Sequence, residues 1–265
     1  MGMVGAILLS LTVIAAIGAP WLAPYEPNKI DPLRVLESPG VGHWLGTDGL
    51  GRDVFSRVLY GARVSLYSGI LVVSVSMVVG TTIGLVAGYA GGVVDSVLMR
   101  AMDALLAFPG LVFALAVTAA LGPSLTNAMI AIAVLSFPGA ARVVRGETLS
   151  LRARDFVTAE RVLGASPVRI IFRHILPNAI APIIVIASLR MGGAILIETG
   201  LSFLGLGVQP PQASWGSMVN EGSRFLERAP WISMASGGAI FLAVLGANLV
   251  GDAVRDTLDP RLRNE

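Results

Sequence analysis

Three long stretches of this chain contain no charged side chain: Met1–Tyr25, Val64–Val94 and Ala104–Ala141. Soluble domains carry about 25% charged residues, so uncharged runs of this length do not suit a water-facing surface. A helix of roughly 20 apolar residues crosses the ~30 Å hydrocarbon core of a bilayer with its backbone groups bonded internally. The third run is too long for one crossing. It breaks at LGPSLTN (Leu121–Asn127), where Gly122, Pro123 and Asn127 supply turn chemistry. Two more apolar stretches follow: Ile175–Leu201, interrupted only by Arg190 and Glu198, and Ala229–Gly251. The chain is 54% hydrophobic and 14% charged. It is therefore expected to be an all-α membrane protein with six transmembrane helices, near residues 3–23, 65–89, 104–121, 126–143, 177–200 and 232–251. The first span lacks a basic lead and exceeds the 7–15 apolar residues of a signal peptide, so it reads as a retained helix.

This divides the chain into a first transmembrane helix (1–24), a loop (25–64), a core (65–252) with loops at 146–176 and 201–231, and a tail (253–265). Arginine and lysine mark the cytoplasmic side. Arg142–His174 holds seven arginines against Glu147, Asp155 and Glu160, whereas Tyr25–Arg63 and Ser202–Arg228 are balanced in sign. Loop 146–176 and both termini are expected in the cytoplasm, with loops 25–64 and 201–231 outside.

Several chemistries are excluded. There is no cysteine, and the two histidines, His43 and His174, stand far apart in sequence. The single lysine, Lys29, is not part of a Gly-Lys-Ser/Thr phosphate loop. No catalytic or metal-binding set is found, and no nucleic-acid partner is expected. A self-contained secondary transporter would need an acidic relay in the membrane. Glu198 is the only acid in the spans.

The segment TAERVLGASPVRIIFRHILPN (Thr158–Asn178) is basic and lies between apolar runs. Apolar residues recur with helical spacing from Leu149 to Leu163. Gly164 interrupts them, and Ser166-Pro167 starts a second helix, with serine as N-cap and proline at the first position. Pro177 is expected to close that helix where the next span begins. Two readings stand for this elbow. One is an interfacial loop whose arginines meet lipid phosphates. The other is a docking element with small residues at its corner. Arg161 has the same two readings, lipid phosphate or an acidic partner group.

Arg190 and Glu198 lie inside the fifth span, where charge costs at least ~2.5 kcal/mol on insertion scales. They are candidates for the translocation path or a subunit interface, with a structural role at the mouth also open to Glu198. Gly80, Gly84 and Gly88 repeat at four-residue spacing, which suits close helix packing. GTDGLGRD (Gly46–Asp53) lacks the closing glutamate of a calcium loop. It reads as a folded external cap near a partner protein, with Asp48, Arg52 and Asp53 as its candidate residues, joined by Trp215 from the last loop. Trp44 and Tyr60 read as interfacial anchors.

The elbow resembles the cytoplasmic loop of bacterial ABC importer permeases. Their pattern is Glu-Ala-Ala, three residues, Gly, and a later Leu-Pro. Gly164 falls on the glycine, Leu176-Pro177 on the Leu-Pro and Ala159 on the first alanine. Thr158 stands where glutamate is expected, and Glu160 where the second alanine is expected. HWLGTDGLGRDVFSRVLYGARVSL (His43–Leu66), ETGLSFLGLGVQPPQASWGSMVNEG (Glu198–Gly222) and DAVRDTLDPRLR (Asp252–Arg263) resemble dipeptide and oligopeptide permeases. The resemblance implies the type I ABC importer (MetI-like) permease fold and an alternating-access mechanism. It implies a homologous second permease, two ABC ATPase subunits, an extracytoplasmic substrate-binding protein and a short peptide as cargo. Relatives of this kind also carry nickel chelates, glutathione, heme or oligosaccharides. The resemblance implies no enzymatic activity and no cofactor on this chain, with ATP and Mg on the partner subunits. It makes Thr158, Ala159, Glu160, Arg161, Leu163, Gly164, Ala165, Ser166 and Pro167 the ATPase-coupling residues, in a bacterial or archaeal plasma membrane.

Overall fold

The structure is a computed structural model, and it describes residues 1–258. The last part of the expected tail, 259–265, lies outside the described residues. The described chain is helical: α1 (Gly2–Leu22), a 3₁₀ turn (Pro32–Arg34), α2 (Val54–Ala90), α3 (Gly92–Leu106), α4 (Gly110–Leu121), α5 (Leu125–Arg152), α6 (Asp155–Val162), α7 (Pro167–Ile170), α8 (Leu176–Phe203), α9 (Trp215–Ser223) and α10 (Pro230–Leu258). A π turn, Ile171–Ile175, joins α7 to α8, so that Pro167–Phe203 forms one long rod.

Among the described residues, five helices are long and apolar enough to cross a membrane: α1, α2, α5, the α7–α8 rod and α10. The sixth expected span is not one straight helix. α3 and α4 meet at 86° across Ala107–Pro109. Pro109 lacks a backbone donor and disfavours helical geometry at Phe108, which breaks the rod there. α4 alone has 12 residues, about 18 Å at 1.5 Å per residue, too short to cross. Only the bent pair together can supply the sixth crossing. The short link expected at 90–103 is largely α3.

Two other boundaries move. α2 begins at Val54 rather than 65, because Asp53 caps it by accepting a hydrogen bond from Ser56 N. α5 continues unbroken to Arg152 instead of ending near 143, with Pro138 inside it.

α2 packs lengthwise on α5 through the glycine stripe. A Cβ at Gly84 would lie 2.6 Å from the Ala141 carbonyl oxygen and 2.8 Å from Val144 Cβ. Gly80 and Gly88 meet Ala140 and Thr148 in the same way. The repeat therefore serves internal helix packing. α3 is tied back to α5 by Arg145–Asp95 and Arg142–Asp103 ion pairs. α1 lies against α10, where Gly5 approaches Leu249 and Gly246 approaches Leu8. One apolar cluster joins α2, α4, α5 and α8 around Val72, Ala114, Ile132 and Leu201. Another, around Leu85, Val144, Val157, Ile170 and Ile175, anchors the elbow.

Candidate functional site

The elbow has the two-armed form expected, with one shift. The helix expected from Leu149 is split, because α5 stops at Arg152 and α6 starts at Asp155. α6 then ends in a Schellman motif. Gly164 adopts φ +76°, its N–H bonds to the Arg161 carbonyl, and the Ala165 N–H bonds to the Glu160 carbonyl. Left-handed backbone of this kind favours glycine, which is the physical reason for Gly164. Ser166 caps the second arm by accepting from Arg169 N at 3.4 Å, and Pro167 occupies its first position.

Pro177 does not close that arm. Leu176 N–H bonds five residues back to Ile171. The widened turn accommodates a proline ring that would otherwise press on the Arg173 carbonyl.

The two arms are held from inside. Val157, Ile170 and Ile175 are fully buried. Glu160 Oε1 lies 3.4 Å from His174 Nε2 across the elbow. The corner faces away: Val162 is 83% and Leu163 80% exposed. Thr158, Ala159, Gly164, Ser166 and Pro167 are exposed as well, and Ala165 is partly covered. Arg161 stacks over Tyr89 at 5.3 Å. This packs an apolar, small-residue tip on a rigid base.

Arg190 and Glu198 do not act together. Glu198 is fully buried between α2 and α8, accepting from Ser202 Oγ at 2.7 Å and Ser65 Oγ at 3.4 Å. Ser202 Oγ also accepts from Val208 N. Glu198 thus fastens the start of the loop that follows α8. Arg190 is half-buried and reaches across to α5. Its Nη1 donates to the Ser136 carbonyl at 2.8 Å, and Nη2 lies over Gly139.

The cap formed by the loop between α1 and α2 is built on a buried ion network. Asp48 accepts from Leu50 N and Arg52 N in a tight turn, with Gly46 and Gly51 at positive φ. Arg52 Nε meets Asp48 Oδ2 at 2.6 Å, and Arg52 Nη2 meets Glu221 Oε2 at 2.8 Å. Arg57 joins both carboxylates, at 3.4 Å and 3.7 Å. Asp53 accepts from Ser56 and lies 2.8 Å from His43 Nδ1. Trp215 is buried against Gly61 and donates to the Val58 carbonyl at 2.9 Å.

Residues 80–264 match the family described as "Binding-protein-dependent transport system inner membrane component". This chain belongs to that family. Residues 1–39 match the N-terminal TM domain of oligopeptide transport permease C. The chain is 45% identical over 264 residues to the dipeptide transport system permease protein DppC of Alkalihalophilus pseudofirmus, covering 100% of this chain and 87% of that protein. It is 46% identical over 255 residues to the glutathione transport system permease protein GsiD of Pectobacterium atrosepticum, covering 96% and 85%. An inward-facing structure of the MetNI methionine ABC transporter shares the fold, with a TM-score of 0.54 and 17% identity over 74% of this chain and 94% of that one. The protein is a multi-pass ABC importer permease, a transport subunit rather than an enzyme.

In this permease Val162, Leu163 and Gly164 stand at the exposed tip of the elbow, while Glu160 and Arg161 lie against His174 and Tyr89. Asp48, Arg52, Asp53 and Trp215 are all less than 5% exposed, and they hold the cap to α2 and α9. Burying a charge is tolerated when it is paired, and the turn brings Asp48 and Arg52 onto each other. Sequence reading missed Arg57, Glu221 and His43. The pairs from Glu221 span more than 160 positions, and no local pattern signals them.

Proposed function

We propose that this chain is the permease subunit of an importer for dipeptides or short oligopeptides, working by alternating access. A homologous second permease completes the pathway, two ABC ATPases carrying ATP and Mg drive it, and an extracytoplasmic binding protein delivers cargo. The elbow, from Thr158 to Pro167, is the element received by one ATPase. The observation that carries this is the tip itself: Val162 and Leu163 are exposed at a glycine corner while Val157 and Ile170 on the arms are buried. A firmly anchored tip transmits a push without rotamer slack. Both termini lie in the cytoplasm of a bacterial or archaeal plasma membrane, on the charge asymmetry of loop 146–176.

Peptide cargo is supported by relatives whose names state dipeptide, peptide and glutathione transport. The same architecture serving glutathione is the second reading, favoured by similar identity to the glutathione permease of Pectobacterium atrosepticum. A proton-coupled secondary transporter is disfavoured because Glu198 is committed to Ser65 and Ser202. Co-purification from membranes and uptake into proteoliposomes decide the matter. ATPases should copurify, and uptake should require ATP and loaded binding protein. Uptake that persists without either sinks the importer reading. Mass analysis of the cargo held by the cognate binding protein separates short peptides from glutathione.

A further inference from the structure

A groove of about 450 Å³ opens beside the elbow, between α2 and the returning arm. Met77, Leu85 and Val86 form one wall, Val168 and Phe172 the arm side, and Ile180 the far end. Nothing in the described chain covers it: Phe172 is 63% and Val168 65% exposed. Arg169 and Arg173, both exposed, directly follow two residues that line it, Val168 and Phe172. Among the described residues neither has an acidic partner. Their positions continue into Leu176 and Ile180, which line the groove. The rod is cationic beside the groove at its elbow end and apolar at Leu176 and Ile180.

An occupant of such a site has a long apolar part and an anionic head. The elbow's net positive charge places this end at the cytoplasmic leaflet, where anionic lipids gather. We propose that the groove seats an acyl chain of an anionic phospholipid whose phosphate is held by Arg169 and Arg173. Cationic side chains hold phosphate through charge-assisted hydrogen bonds, which lysine at the same place would also supply. A helix of the second permease would instead have to bring acidic groups to the same two arginines. The site does not depend on which cargo is carried.

The test uses the complete importer, incubated in detergent with phosphatidylglycerol or phosphatidylcholine and analysed by native mass spectrometry. Phosphatidylglycerol should be retained in preference. The double variant Arg169→Gln/Arg173→Gln should weaken its retention about 30-fold, about fivefold for each cation lost. Val86→Trp should lower retention by filling the groove with the arginines intact. Arg169→Lys/Arg173→Lys should keep the preference, and basal ATP hydrolysis should be unchanged throughout. Equal retention by the glutamine pair, or loss of it in the lysine pair, overturns the proposal. The chain contains no cysteine, so Val86→Cys gives a single label. It should react with a bilayer-soluble maleimide. Its protection by the second permease, with cross-linking to it, would show a subunit interface instead.

Discussion

Glu160 Oε1 on the outgoing arm of the elbow stands 3.4 Å from His174 Nε2 on the returning arm. By the resemblance, Glu160 stands where the importer-loop pattern has alanine, so that pattern does not imply this bridge. Both side chains are about a quarter exposed, and water screens such pairs. A double-mutant cycle with Glu160→Gln and His174→Gln should give a coupling below about 1 kcal/mol in thermal unfolding. A coupling several times larger would mean that the bridge, and not the apolar anchor of Val157 and Ile170, holds the arms together.

Gly164 needs left-handed backbone but has open space around it, since an added Cβ meets nothing within 4 Å. Asparagine tolerates that conformation and valine does not. Gly164→Asn should keep most of the ATPase stimulation by loaded binding protein. Gly164→Val should lose it while membrane insertion persists. Leu163→Asp, which leaves the backbone alone, should also abolish stimulation by charging the tip. If Leu163→Asp retains full stimulation, the tip is not the docking element.

Arg57 is 1% exposed and shared between Asp48 and Glu221. Removing one member of a buried charge network leaves the others uncompensated, at about 3–5 kcal/mol. Arg57→Ala should therefore lower the unfolding temperature sharply. Glu221 is 33% exposed, so Glu221→Gln should cost much less. Thermal unfolding in detergent measures both. Similar losses for the two would contradict the assignment of Arg57 as the buried hub.

Arg190 lies over Gly139 while donating to the Ser136 carbonyl. It thereby links α8 to α5, the helices that carry the two arms. Gly139→Val should displace the guanidinium. Arg190→Met and Gly139→Val should each reduce ATP-driven uptake, and together should do little more than one alone, because both remove the same contact. Additive losses would indicate separate roles.

Charge-free runs by themselves determined that this chain crosses a membrane on helices, because in lipid only helices and closed barrels satisfy a backbone, and continuous apolar runs of about 20 residues suit a helix rather than an alternating barrel strand. The glycine repeat at 80, 84 and 88, the Ser166-Pro167 start and the corner at Gly164 were also legible, since each is a local backbone requirement. The expected straight span at 104–121 failed at Pro109, and the expected stop at Pro177 failed because a π turn absorbed it. Both outcomes depend on how neighbouring helices hold the rod, which a local pattern does not contain. The sequence showed a folded cap at Gly46–Asp53 but not what holds it. Only the tertiary structure brought Glu221 across the chain to Arg52 and Arg57, and so made Asp48 and Arg52 part of a buried fastening of the cap. The sequence determined which segments leave water. The folded chain decided which charges pair, because pairing depends on distances set by packing between remote helices.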